Sequence, residues 1–361
     1  MAANSFGEMV RLTTFGESHG PALGGILEGI PAGLEVNWAD VQADVDRRRP
    51  GQSHLTTPRR EPDTVECLSG IHEGKTTGTA IGFVIRNTNA KPKDYDHIKD
   101  AFRPSHADYT YNAKFGHRDH RGGGRASARE TVARVVGGAI ARQWLTKLGV
   151  EVTAYVDRVS SIDMSPSGGW FDRSDVDASP TRCPSAEVAS QMEEAIEHAR
   201  KTGDTLGGSV TMVARGVPAG WGEPVFDKLH ALMAHAMFSL PAVKSVELGS
   251  GIAGTYMTGS EHNDAFFTDS ATGATRTKTN HSGGIQGGIS NGEDIVLRIG
   301  FKPVATIRAA QNSVDEQGNA VEVVGKGRHD PCVLPRAVPL VEAMAMLTLA
   351  DAAQRARTNR I

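Results

Sequence analysis

Apolar residues recur at helical spacing in several parts of the chain. Between Ala186 and Lys201, Val188, Met192, Ala195, Ile196 and Ala199 share one face, and Gly203 follows as a stop. Asp40 to Arg48 continues from a polar start at Asn37 and ends before Pro50. Phe226 to Phe238 repeats the pattern ahead of Pro241, Ala128 to Leu148 predicts a long helix, and Pro339 to Arg357 predicts the last one. Short, β-branched runs predict strands at Gly25–Ile30, Thr79–Ile85, Ser209–Ala214, Ala242–Leu248 and Asp294–Ile299.

Three long polar stretches separate these elements: Asn87–Gly124, Gly259–Gly292 and Gln311–Pro335. Loops of that length inside a compact domain are uncommon and usually functional. An internal echo also stands out. Gly24 to Val36 and Gly207 to Val225 each run from Gly-Gly through a strand-like stretch into Pro-Ala-Gly and then toward a helix. This predicts a duplicated strand–turn–helix unit, with two similar halves packed into one domain over residues 1–361.

Composition narrows the class. With 361 residues, 39% apolar and 22% charged, the chain can bury a sizeable core as a soluble globular protein. The net charge of −3 excludes a global basic field, so no nucleic-acid partner is expected. Positive charge is local: Ala101 to Arg134 holds six Arg and one Lys against two Asp and one Glu. Cys67, Cys183 and Cys332 are far apart and form no C-x-x-C pair, which fits a reducing compartment. The N-terminus lacks the apolar core of a signal peptide, and no apolar run approaches membrane-spanning length. These features predict a cytoplasmic protein with no membrane partner.

Several familiar motifs are decoys. Gly16-Glu17-Ser18-His19-Gly20 matches the G-x-S-x-G elbow of serine hydrolases, which needs a helix directly after it. Pro21 and the Gly24-Gly25 pair follow instead, so a hydrolase using Ser18 is the alternative reading. Gly249 to Gly254 matches G-x-G-x-x-G, but Thr255 to Asp264 is a poor helix former, so no dinucleotide site is expected. His117-Arg118-Asp119 lacks the kinase Asn, because Gly124 stands there. His106, His117 and His120 do not have helical metal-ligand spacing, so no metal is expected.

What survives is an anion-binding design. Ser127-Ala128-Arg129-Glu130 reads as a capping box opening the long helix, with Ser127 capping and Glu130 reaching back. Its backbone N–H groups, Gly122-Gly123-Gly124, Arg125 and Arg129 together predict a phosphate site. Arg134, four residues after Glu130, is spaced for a helix ion pair. Further basic clusters stand at Arg47-Arg48-Arg49, Arg59-Arg60 and Lys326 to His329. A small, highly anionic ligand is the physical expectation.

The chain resembles the chorismate synthase family along nearly its whole length. The resemblance rests on RLTTFGESHG (Arg11–Gly20), RRRPGQS (Arg47–Ser53), FRPSHADYTY (Phe102–Tyr111), HRDHRGGGRASARET (His117–Thr131), NHSGGIQGGISNG (Asn280–Gly292) and KGRHDPCVLPRAVP (Lys326–Pro339). It implies an α+β, single-domain β-α-β sandwich with helices between two antiparallel sheets, internally pseudo-duplicated and assembled as a homotetramer. It also implies an anti-1,4-elimination. The 3-phosphate and a C6 hydrogen leave 5-enolpyruvylshikimate 3-phosphate, giving chorismate for aromatic amino acid biosynthesis. Reduced FMN is required, although no net redox change occurs. The substrate carries about −3.5 to −4 in charge at neutral pH, which accounts for the arginines.

By resemblance, His19 donates a proton to the leaving phosphate, and His106 maintains protonation at the reduced flavin. Asp330 lies near flavin N5 and assists removal of the C6 hydrogen, while Ser18 and Ser127 assist as hydrogen-bond donors. FMN contacts carry over to Arg125, Ala126, Ser127, Pro241, Ala242, Gly287, Lys302, Pro303, Val304, Ala305, Thr306 and Arg328. Arg48 and His54 bind an anionic group of NADP or substrate, and Arg103, Arg129 and Arg134 bind substrate. Many members carry Arg where this chain has His54, which keeps a donor but loses permanent charge. NADPH is expected only as an indirect reductant, through an external flavin reductase.

Overall fold

The computed structural model describes residues 3–53, 55–56, 61–88, 99–165, 168–325 and 330–359. Two five-stranded sheets organise the chain, each antiparallel throughout. The first is built from β1 (Ser5–Phe6), β2 (Arg11–Phe15), β3 (Ala22–Glu28), β4 (Val65–Cys67) and β5 (Ile81–Arg86), in the order β1-β2-β3-β5-β4. The second contains β6 (Glu151–Val159), β7 (Ile162–Asp163), β8 (Gly208–Arg215), β9 (Val243–Leu248) and β10 (Ile295–Phe301), in the order β9-β10-β8-β6-β7.

The main helices are α1 (Trp38–Arg48), α2 (Asp108–Phe115), α3 (Thr131–Lys147), α4 (Ala186–Thr202), α5 (Leu229–Phe238) and α6 (Leu334–Ala356). Helix α3 packs on β2, β3 and α6, and α6 in turn packs on β6 and β8. The two helices meet closely at Gly138, where an added Cβ would lie 2.5 Å from Cα of Ala343. Nearly all of the buried apolar residues described form one cluster from Val10 to Ala353. Each fully buried large side chain in it contributes about 1.5–3 kcal/mol.

Periodicity located most helices, and capping explains their ends. Asn37 Oδ1 accepts from Ala39 N at 3.0 Å and starts α1. Ser185 caps α4, and Gly203 ends it in the left-handed conformation. Helix α5 starts three residues later than the pattern predicts. The last helix starts five residues earlier, with Pro335 in its first turn and Pro339 inside it. Burial outweighs the hydrogen bond lost at Pro339, since every residue from Leu334 to Ala353 except Arg336 is buried. Helix α6 is also long and apolar enough to cross a membrane, contrary to the sequence expectation. In place, 94% of its apolar window is buried inside the protein, as a core helix requires.

The three polar stretches carry more structure than expected. Helix α2 lies within the first, and paired short strands occupy parts of the other two. The two Gly-Gly echoes occupy equivalent places: Gly24-Gly25 lies on β3 and Gly208 on β8, each the middle strand of its sheet.

Candidate active site

The segment after β2 turns back into β3 through Gly16–Gly20, so Ser18 sits in a strand–turn–strand. A nucleophile elbow requires strand–turn–helix, and the hydrolase alternative therefore has no support. Ser18 is fully buried. Its hydroxyl donates to the Arg121 carbonyl at 3.2 Å and lies 2.9 Å from Nδ1 of His19. A hydroxyl has one proton, so with that proton on Arg121 O it accepts from His19 Nδ1.

The Gly122–Gly124 loop adopts positive φ throughout. A Cβ on Gly122 would come within 2.3 Å of His19 Cε1, and one on Gly123 within 3.0 Å of His106 Cε1. The two histidines, 87 residues apart in sequence, thus rest against neighbouring residues of one bare loop. Glycine is needed here both for backbone conformation and for space.

Asp108, at the start of α2, fixes His106 by holding Nδ1 at 2.9 Å. The same carboxylate receives Nε and Nη2 of Arg103 at 2.7 and 2.8 Å, and Arg118 lies 3.3 Å away. Burial pushes the Asp108 carboxyl upward, but hydrogen bonds from Arg103 and His106 outweigh it and hold the group well below the usual carboxylate range. Arg103 is therefore engaged as a bidentate partner of Asp108.

Arg48 and Arg129 converge on Asp63, which is fully buried. Arg48 Nη1 donates to one carboxylate oxygen at 3.2 Å, and Arg129 Nη1 donates to the other. Arg48 Nη2 also donates to the Ala128 carbonyl at 2.8 Å, tying it to the start of the long helix. Arg129 Nε reaches Asn87, while its Nη2 is buried with no hydrogen-bond partner among the described residues. Arg336 extends the chain of contacts, donating to the Arg48 carbonyl at 3.1 Å and to Asp330.

The capping box forms only in part. Ser127 Oγ accepts from Arg129 N at 3.3 Å, and 3-10 turns precede α3. Glu130 does not reach back; it accepts from Thr14 Oγ1 at 2.9 Å and pairs with Arg134 at 3.0 Å. The competing partners explain the correction, because a buried carboxylate takes the strongest donors within reach. Arg125 crosses to the β2 end, donating to Thr14 Oγ1 at 2.7 Å and to Gly16 O at 3.1 Å.

Arg125, Ala126, Arg134 and Pro241 line a cavity of about 370 Å³ together with Thr14 and Tyr111. Ala242 accepts from Lys302 N at 2.9 Å. Lys302 and Pro303 line a second cavity, Val304 O accepts from Thr205, Ala305 is half-buried and Thr306 is buried. Gly287 is apart from these: Leu229, the first residue of α5, donates to Gly288 O, whereas Pro241 follows the other end of that helix. Ten residues of helix span about 15 Å. His54 and Arg328 lie outside the described residues. Sequence reasoning did not single out Asp63 or Asp108. Asp108 stood inside a quoted signature, but no spacing rule marks a carboxylate whose partners are brought to it by folding.

The family model for chorismate synthase matches residues 10–354. The chain belongs to the chorismate synthase family. It is 57% identical over 361 residues to the chorismate synthase of Christiangramia forsetii, covering 100% of both chains. It is 54% identical over 348 residues to that of Parabacteroides distasonis, covering 96% of this chain and 97% of the relative. A crystal structure of chorismate synthase is similar with TM-score 0.75 and 28% identity, covering 97% of this chain and 93% of that one. The activity is that of a chorismate synthase, a lyase acting on a small-molecule substrate, and the family in general requires a reduced flavin.

Proposed function

We propose that the chain eliminates the 3-phosphate and a C6 hydrogen, in the anti-1,4 sense, from 5-enolpyruvylshikimate 3-phosphate, with FMN in its reduced form. The observation that carries this reading is the placement of His19 and His106 against Gly122 and Gly123, on a loop that leads directly into Arg125 and Arg129. The residues fit an anionic flavin and substrate. Arg129 keeps a buried donor unmatched, and an unmatched buried donor is costly unless a ligand takes it.

When bound, the reduced flavin would supply an electron-rich ring to the elimination, with no net redox change. His19, positioned by the contact of its Nδ1 with Ser18, protonates the leaving phosphate. His106, with Nδ1 on Asp108, holds a proton toward the flavin. Asp330, held by Arg336, assists loss of the C6 hydrogen. Ser127 and the Lys302–Thr306 segment contact FMN, and Arg103, Arg129 and Arg134 orient the substrate anions. A positioned general acid is typically worth roughly 10²–10⁴-fold in rate.

The same reading makes the chain one domain, a sandwich of two antiparallel sheets with helices between them, descended from a duplication. The central position of both Gly-Gly strands and the continuous core support it. It places the enzyme in the cytoplasm as a homotetramer, with FMN reduced by an external reductase that uses NADPH. The distance of Gly287 from Pro241 supports assembly, because a neighbouring copy can complete a contact set that one chain leaves divided.

The division between the histidines gives the test. His106→Ala should change the reduced-flavin spectrum of the ternary complex, and His19→Ala should slow phosphate release while leaving that spectrum near the parent's. Equal spectral perturbation in stopped-flow absorbance would overturn the assignment of roles.

A further inference from the structure

A cavity of about 380 Å³ opens where β6, β8, β9 and β10 end together. Arg158, Lys244 and Lys302 line it, and no carboxylate among the described residues does. Ser160 and Ser245 add hydroxyls to the same wall. The family resemblance assigns only Lys302 and Pro303 in this cavity, and leaves Arg158, Lys244 and both serines without a role.

The electrostatics are unusual for this protein. Most of its buried or half-buried arginines sit on an Asp or Glu. Arg158 has no ion pair among the described residues, and its Nε is buried with no hydrogen-bond partner. Among the described residues, the Lys302 ammonium donates only to the neighbouring Pro303 carbonyl, at 3.3 Å. Burial and the nearby Lys244 ammonium both push its pKa down, so the two lysines repel across a hollow that no described carboxylate lines. An orphaned guanidinium N–H and two mutually repelling ammonium groups around one hollow are relieved together by a bound dianion.

We infer that this cavity binds a phosphate monoester or inorganic phosphate dianion, through Arg158 and Lys244 as well as Lys302. The serine hydroxyls supply further donors to its oxygens. Carboxylate ligands fit less well, because three cations line one hollow and a dianion satisfies more of them. The phosphate can belong to the flavin or be free phosphate, such as the reaction's product. Only the first source rests on the flavin reading above.

Four proteins separate the outcomes: parent, Lys244→Ala, Arg158→Ala and Lys244→Glu. Lys244 is exposed, so its substitutions leave the fold intact even if Arg158→Ala does not fold. Inorganic phosphate is titrated against thermal unfolding and against ³¹P linewidth. FMN and riboflavin, which lacks the phosphate, are titrated by fluorescence quenching. Removing one charged hydrogen-bonding partner should weaken phosphate binding by roughly 10- to 100-fold, and Lys244→Glu should weaken it further. If the flavin phosphate is the occupant, the variants lose FMN affinity by that factor and keep riboflavin affinity. If free phosphate is the occupant, FMN binding is unchanged while the phosphate-induced shift disappears. The inference is overturned if phosphate and FMN titrations of Lys244→Ala and Lys244→Glu both match the parent. Failure of the parent to bind FMN would overturn the flavin reading alone, since the inorganic phosphate titration stands without it.

Discussion

Gly122 offers a graded test of how tightly the two histidines are set. In Gly122→Ala the new Cβ would lie 2.3 Å from His19 Cε1, 2.5 Å from Nδ1 and 2.9 Å from Ser18 Oγ. Ordinary van der Waals contact begins near 3.4 Å, so the ring must retreat by about 1 Å. It cannot do so freely, because it is buried and tied to the Ser18 hydroxyl. A misplacement of about 1 Å in a reacting group costs on the order of 10²-fold in rate. The residue would also have to hold φ at +67°, at roughly 1–2 kcal/mol of stability. Gly116→Ala isolates the second effect, because Gly116 has φ +65° and nothing within 4 Å of an added Cβ. Anaerobic turnover and thermal unfolding of both variants should show similar losses of stability, with the rate loss confined to Gly122→Ala. Equal turnover in the two variants would refute the claim that Gly122 keeps room for His19.

Asp63→Ala leaves two buried guanidinium groups without the carboxylate they share, and should cost about 3–5 kcal/mol in urea unfolding; a loss under about 1 kcal/mol would contradict the clamp. The folded pKa of Asp108 is depressed, so the stability it contributes is complete above the unfolded value of about 3.9 and fades as pH falls toward the folded value. Asp108→Asn should therefore flatten the acid limb of the stability profile below about pH 4, and an unchanged slope would count against that role.

Sequence and structure agreed where one local signal was sufficient. Helix α4 carries its apolar stripe, its serine cap and its glycine stop within 20 residues, and was legible almost to its ends. Strand β6 was missed, because Glu151 to Val159 is buried on both faces and lacks the alternation that marks a strand. Helix α6 was read as starting at Pro339, whereas it begins at Leu334 and packs on both β6 and β8. The same contrast runs through the site. His19, His106 and the glycine loop were visible as motifs. Asp63 and Asp108 became visible only when folding gathered Arg48 and Arg129 on one, and Arg103, Arg118 and His106 on the other. Glu130 had a capping partner predicted by spacing, but Thr14, brought from 116 residues away, supplied a better one.

The central claim is tested most directly by anaerobic single turnover of the parent protein with reduced FMN and 5-enolpyruvylshikimate 3-phosphate, following chorismate, phosphate and flavin absorbance together. Chorismate and phosphate should appear in equal amounts, the flavin should end as reduced as it began, and omission of reduced flavin should abolish both products. Phosphate released without chorismate, or turnover that continues unchanged when the flavin is oxidised, would contradict the account.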